Sequence, residues 1–389
     1  MAVRIVEIRD VAVPMGAPMR NAVIDFSKMT VSAVAVVTDV VRGGEPVVGF
    51  GFNANGRYAQ SAVIRERLAP RVLEAPEEHA RADGTTLDPR AIRRLMMRNE
   101  KPGGHGERAV AVAALDIAVW DAAAKIRDMP LWALIAEDAG NPAPEQHIPV
   151  YAAGGYYDPD KGTDGLVAEM RRYLDEGYTQ VKMKIGGATI DEDRDRIEAV
   201  LALLDGDGSR LAVDANGRFD EQTARRYAGA LVPYGLAWYE EPGDPLDFSL
   251  NASVVATYPD PVATGENLLS LHDARNLLRF GGMRPEIDYV QFDPALAYGV
   301  GETIDIVAMM AEEGWSQRRF LPHGGNLLAL SVAGGLSLGG CESYPGVFQP
   351  FGGFADETPV EDGRVRLSDA PGAGFERKAA LNELLRTLL

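Results

Sequence analysis

Cysteine is almost absent from this chain: Cys341 is its one thiol, and only five histidines accompany it. A single thiol excludes an intrachain disulfide framework and a cysteine-rich metal centre, and a reducing cytoplasm is the compartment to expect. Basic residues are also short, with 39 Lys and Arg against 57 Asp and Glu, a formal charge of -18. With no cationic excess to neutralise phosphates, neither nucleic acid nor an anionic membrane is an expected partner. No apolar run reaches the about 18 residues that a spanning helix needs. The opening MAVRIVEIRDVAVPMG alternates like a strand and lacks the charged-then-apolar order of an export signal. No G-x-G-x-x-G opens any strand-helix unit, so a dinucleotide site has no support.

What is present is 389 residues, 46% of them hydrophobic, enough for more than one domain and a sizeable core. Residues 1 to about 56 carry strand-like runs, VRIVEIRDVAV, VSAVAVVTDVV and EPVVGFGFNANG, divided by Pro, Gly and Asn. Helical patterns follow. In ERAVAVAALDIAVWDAAAKI, Val112, Leu115, Val119, Ala123 and Ile126 recur at steps of three and four, and Pro130 stops the run. Strands followed by helices predict an α+β unit over residues 1–130.

From about residue 148 short apolar runs alternate with helical stretches: IPVYAAG, QVKMKIG, RLAVDANG, LAWYEEP, PVATGEN, DYVQFDP, RFLPHGG and LGGCESY. Eight such steps over 148–350 predict a (β/α)8 barrel of the TIM-like, modified kind, an α/β fold. The α+β unit would cap it. The last segment, 351–389, contains RVRLSDAPGAGFE and is expected to return to the capping unit and complete it.

In such a barrel the strand ends converge on one mouth, so residues far apart in sequence meet there. Asp214, Glu240 and Glu266 end the third, fourth and fifth strands at intervals of 26 residues, one βα step each time. Any one of them alone would read as a helix cap. Three carboxylates on adjacent strand ends repel unless a hard cation joins them, and an all-oxygen set suits Mg2+. Glu241, beside Glu240, is expected on the opposite face in a structural ion pair. Asp293, His323 and Glu342 end strands six, seven and eight. A carboxylate beside an imidazole orients it and raises its pKa, which makes His323 a candidate general acid, and the Gly-Gly turn after it would let substrate approach. Cys341 reads as packing, and His79, His105, His147 and His272 fall away from strand ends.

The second strand, VKMKIG, puts Lys182 and Lys184 on one face. Two such lysines on a surface strand would snorkel into water. At the same rim as the acids, each would depress the other's pKa, and burial and a divalent cation would depress both, toward a usable base.

At this point the pattern resembles the mandelate racemase-like branch of the enolase superfamily. The matching pieces span nearly the whole chain: ALDIAVWDAAAKIRDMPLW, the K-x-K of VKMKIG, VDANGRF, WYEEP, TGEN, FDPA, PHGG and PGAGFE. A Lys or His base working with Mg2+ is the known pattern of that superfamily, so the mechanism enters here by resemblance. The resemblance implies that Asp214, Glu240 and Glu266 hold Mg2+ and that Lys184 takes a proton α to a carboxylate, with Lys182 touching that carboxylate. It also implies that His323 with Asp293 acts from the opposite face and that Glu342 donates a hydrogen bond to the enolate oxygen. RNAVIDFSKMT, GFNANGRY, NEKPGGHGERAVAV, YAAGGYY and ESYPGVFQPFGGF look most like the members that dehydrate D-tartrate. These segments include loops that cover the mouth, where Asn21, Asn55 and Lys101 are candidates for binding a distal carboxylate and hydroxyls. One departure bears on the choice of acid sugar: Asn326-Leu327-Leu328 follows PHGG where the resemblance leads to a more polar run. A cytoplasmic homo-oligomer acting on a small dicarboxylate is therefore expected, with racemisation or epimerisation of a 2-hydroxy acid, or a non-catalytic metal-binding barrel, as the competing readings.

Overall fold

The structure, a computed structural model, describes residues 2–389 apart from Pro18 and Pro159. The chain begins with an antiparallel three-stranded sheet, β1 (Ile5–Pro14), β2 (Thr30–Arg42) and β3 (Glu45–Phe52), in that spatial order. The helix Glu107–Ile126 lies against β3. The GFGF of β3 explains how closely. A Cβ on Gly49 would stand 2.0 Å from the Ala118 carbonyl oxygen, and one on Gly51 would stand 2.3 Å from that of Ala114. Period-two alternation sends Phe50 and Phe52 to the other side. There Phe52 packs on Phe351 and Phe375 of the C-terminal tail, at ring separations of 5.0 and 5.1 Å.

The helix departs from the single stripe its sequence spacing predicts. Nearly its whole circumference is buried, from Ala109 to Ala124, because the sheet covers one side and the barrel and tail cover the others. Small alanines suit that crowding. Two buried aspartates fasten the helix to what surrounds it. Asp116 accepts the Val300 N–H at 2.9 Å and so holds the start of the helix Val300–Glu312. Asp121 accepts N–H groups from Phe50 at 2.8 Å and Ala373 at 2.7 Å, and pairs with Lys125 at 2.6 Å. Burial raises both aspartate pKa values, Asp116 to about 7.

The second body is the barrel: β4 (His147–Ala153), β5 (Val181–Lys184), β6 (Leu211–Asp214), β7 (Trp238–Glu240), β8 (Val262–Thr264), β9 (Tyr289–Val290) and β10 (Cys341–Ser343). Its parallel order is β10-β4-β5-β6-β7-β8-β9, with β11 (Arg364–Arg366) antiparallel on the start of β4. The predicted seventh strand, RFLPHGG, contributes only a bridge between Phe320 and Val290. Its continuation turns away through Pro322 and the two glycines, so the ladder stops early. The ring still closes, because Leu321 N–H reaches Val290 and Gly339 N–H reaches Phe320. Inside, Tyr151, Ala212, Trp238, Ala263 and Leu321 form an apolar plug that floors the cavity above.

Gly51→Ala should therefore destabilise the protein by about 1–3 kcal/mol, the usual cost of overpacking, because the clash is with helix backbone. Gly229→Ala, in the exposed part of the helix Glu221–Leu231 with nothing within 4 Å, should be neutral or stabilising by about 0.5–1 kcal/mol. Urea midpoints of the two variants would check this; equal midpoints would refute the close-packing argument.

Candidate active site

Parallel register sets the heart of the site. Lys184 lies level with Asp214, and Asp214 with Glu240, so one cation and two acids share a layer at the strand ends. Glu266 joins them from the turn after β8. Ligand atoms of Asp214, Glu240 and Glu266 all lie within 4.8 Å of one another, and all three residues are buried. One oxygen of this set, Glu266 Oε2, is buried with no hydrogen-bond partner among the described residues. A buried orphan lone pair beside two further carboxylates is the environment a hard divalent cation satisfies, so the residues fit Mg2+.

The lysines answer the same charge. Lys184 Nζ donates to Asp214 Oδ2 at 2.5 Å and lies 5.0 Å over the Tyr156 ring. Lys182 Nζ, fully buried, pairs with Glu240, with Glu342 at 2.7 Å and with Asp214 at 3.5 Å. Trp238 Nε1 and Gln291 Nε2 hold the other oxygen of Glu240 from below, at 2.7 and 2.8 Å. Burial raises the Asp214 pKa in principle, but the two ammoniums override it and hold the group well below the carboxylate range. Burial and the Asp214 charge push Glu240 the other way, up to about 8, despite Lys182.

On the far side of the mouth His323 Nδ1 meets Asp293 Oδ2 at 2.6 Å. Burial works against its charge, yet Glu266, Glu342 and Asp293 raise its pKa to about 10. A cavity of about 250 Å³ opens between Lys184 and His323, lined also by Glu266, Asn21 and Asn55. Asn21 Oδ1 meanwhile closes its own loop, accepting N–H groups from Val23 at 2.8 Å and Ile24 at 2.6 Å.

Five residues stand in surroundings other than those the sequence leads one to expect. Lys182 does not face the cavity; its three carboxylate partners draw it beneath the site. Burial acts to lower the Lys184 pKa, but Asp214, Tyr156 and Glu266 together outweigh burial and Lys182 and raise it. Burial acts to raise the Glu342 pKa, but Lys182, His323 and Lys184 together lower it. Lys101 is exposed and outside the cavity lining. Glu241 makes no ion pair among the described residues: a φ of 41° ends the strand and turns it back toward the acids, where Asn267 Nδ2 donates to it at 3.0 and 3.2 Å. Burial and the facing Glu266 raise its pKa.

Among the lining residues not singled out from sequence are Tyr156, Tyr344, Asn216 and Arg57. Arg57 stands in the loop GFNANGRY, two places after Asn55, and its guanidinium donates to Asn267 Oδ1 at 2.8 Å. The space after His323 is also differently used. A Cβ on Gly325 would lie 2.4 Å from Tyr344 Cδ2, so that glycine admits the tyrosine ring where substrate was expected. Asn326, in the run that departs from the resemblance, caps the next helix by accepting N–H groups from Leu328 at 3.0 Å and Ala329 at 3.1 Å. Leu327 and Leu328 are buried in the core.

Residues 4–136 match the N-terminal domain of the mandelate racemase / muconate lactonizing enzyme family, and residues 165–381 match the enolase C-terminal domain-like family. Over 370 residues the chain is 26% identical to the L-talarate/galactarate dehydratase of Salmonella typhimurium, covering 93% of this chain and 85% of that one. It is 34% identical over 284 residues to the 3,6-anhydro-alpha-L-galactonate cycloisomerase of Streptomyces coelicolor, covering 72% and 73%. A crystal structure of a racemase from Streptomyces coelicolor with bound magnesium aligns at a TM-score of 0.79 with 26% identity, over 99% of each chain.

Mg2+ should raise the thermal midpoint of the protein, since a ligand held only by the folded state adds about 2.7 kcal/mol at a hundredfold excess over Kd. Glu266→Gln should remove most of that shift in a thermal melt. An unchanged wild-type midpoint up to saturating Mg2+ would refute the cation site.

Proposed function

This chain belongs to the mandelate racemase / muconate lactonizing enzyme family of enolase-like proteins, and on that premise we propose that it dehydrates an acid sugar with Mg2+. The observation that carries the reading is the single cavity into which Lys184 and His323 both open, with the acid trio on the strands between them. Asp214, Glu240 and Glu266 would hold Mg2+, which would supply Lewis-acid stabilisation of charge on the substrate carboxylate and offset the Asp214 charge beside Lys184. Neutral Lys184 then removes the α-proton. Lys182, buried between Glu240 and Glu342, acts by fixing these acids and not by touching substrate. Asp293 holds the His323 ring in place, and His323 supplies the proton that lets the β-hydroxyl leave as water. The enol that remains tautomerises to a 2-oxo acid.

The substrate reading is a dicarboxylate, D-tartrate first, which would give oxaloacetate. Its support is the resemblance of the mouth segments and the Arg57 guanidinium at the cavity, a bidentate partner for a second carboxylate. Asn21 and Asn55 would bind hydroxyls there, while Lys101 is too exposed to serve. We take 1–130 as the capping unit, 148–350 as the barrel and 351–389 as the returning tail. Cycloisomerisation is the second reading, favoured by the 34% identical relative of that name. The same α-deprotonation serves it.

A panel of sugar mono- and diacids, D-tartrate and galactarate among them, separates the readings by product mass. Dehydration yields a 2-oxo acid lighter by one water, cycloisomerisation leaves the mass unchanged, and racemisation changes only the optical rotation. Lys184→Ala should stop both exchange of the α-proton with solvent deuterium and elimination. His323→Asn should cut elimination by about 10²- to 10⁴-fold yet retain exchange. Wild-type exchange in Lys184→Ala, or no turnover of any acid with Mg2+ present, would overturn the proposal. Arg57→Gln should raise KM for diacids and leave that for monoacids unchanged.

A further inference from the structure

His323 has one ring nitrogen for its anchor and one for chemistry. Nδ1 is committed to Asp293, whose other oxygen accepts the Ala295 N–H at 2.7 Å, so the carboxylate that anchors the ring is itself held in place. Nε2 does not point freely at the cavity. It lies 2.9 Å from the Tyr344 hydroxyl, with Glu266 Oε2 at 3.4 Å and Glu342 Oε2 at 3.7 Å. Only the phenol is at ordinary hydrogen-bond distance. Tyr344 also lines the cavity itself. Its ring is fixed by the space Gly325 leaves, by the Phe348 ring at 5.0 Å and by its own N–H on the Gly325 carbonyl at 3.1 Å.

A phenol differs from the nearby carboxylates in kind. It donates and accepts, whereas an ionised carboxylate only accepts. One N–H makes one strong hydrogen bond, so an Nε2–H given to Tyr344 is not also given to a substrate hydroxyl. Resting on the dehydratase reading, we propose that Tyr344 is a catalytic residue that relays the proton of His323 to the departing β-hydroxyl. In that step the Tyr344 O–H bond breaks as its proton goes to the leaving oxygen. The substrate Cβ–O bond breaks with its electron pair remaining on that oxygen, and water departs. The Nε2 proton of His323 moves to the phenolic oxygen. Tyr344 ends as a phenol and His323 as a neutral imidazole, with protons and electrons balanced.

Tyr344→Phe keeps the ring and removes the relay atom. Three rates should be read on the Mg2+-loaded protein: exchange of the α-proton with solvent deuterium, 2-oxo acid release from the hydroxy acid, and fluoride release from the analogue with fluorine in place of the β-hydroxyl. Fluoride leaves without a proton. The relay requires dehydration to fall about 10²- to 10⁴-fold while exchange and fluoride release stay within a few-fold of wild type. Dehydration near the wild-type rate in Tyr344→Phe would overturn the relay, with His323 then delivering its proton directly. Fluoride release lost as deeply as dehydration would also overturn it, since Tyr344 would then serve the fold alone. A wild type that releases neither 2-oxo acid nor fluoride would instead bring down the dehydratase reading, and the relay with it.

Discussion

The ion pairing of Lys182 and Lys184 with Asp214, Glu240 and Glu342 is the interaction on which the rest of this structure depends. Two ammoniums buried side by side would be untenable alone, and so would the acids. Together they neutralise one another in a place that excludes water, and removal of one partner from such a set costs about 3–5 kcal/mol because its neighbour is left charged and buried. The arrangement exists only because β5, β6 and β7 run parallel and in register, so that Lys184, Asp214 and Glu240 arrive at one level. The apolar plug below, with Tyr151 and Trp238 in edge contact at 4.9 Å, keeps that level from sinking into the barrel.

The cavity is lined from two different parts of the chain. The barrel supplies Lys184, Glu266 and His323 from strand ends, where backbone pairing fixes them. The N-terminal segment supplies Asn21, Phe26, Asn55 and Arg57 from loops that reach over the mouth. Loops change without cost to the barrel. The relatives, named for dehydration, cycloisomerisation and racemisation, show one architecture carrying several outcomes. What must stay constant is the docking of the two bodies, and here Asp116 and the pairs Arg90–Asp305 and Arg93–Glu302 hold the helical layer of one against the other.

Much of this was legible in one dimension. Strand ends recur once per βα step, so Asp214, Glu240 and Glu266 announced a shared site through spacing alone, and VKMKIG announced two lysines on one face. Alternation and helical period likewise gave the three-stranded sheet, the long helix and seven of the barrel strands. These are local properties, dictated by where successive side chains point.

Direction beyond the strand ends was not legible. Lys182 and Lys184 are equivalent in the sequence, and only the packed barrel sends one beneath the acids and the other into the cavity. Glu241 follows Glu240 and should oppose it, but a left-handed turn reverses it. Tyr344 carried no motif of its own; it reaches His323 because Gly325, nineteen positions earlier, leaves room for its ring. Arg57 and Lys101 are both cations in or beside the mouth loops, and one meets the cavity while the other meets solvent. The sequence by itself determined which residue types reach each strand end, because strand period and βα spacing are backbone geometry. Which of them face one another, and hence the charge each carries, was decided by tertiary structure, because burial and neighbouring charge belong to no single segment.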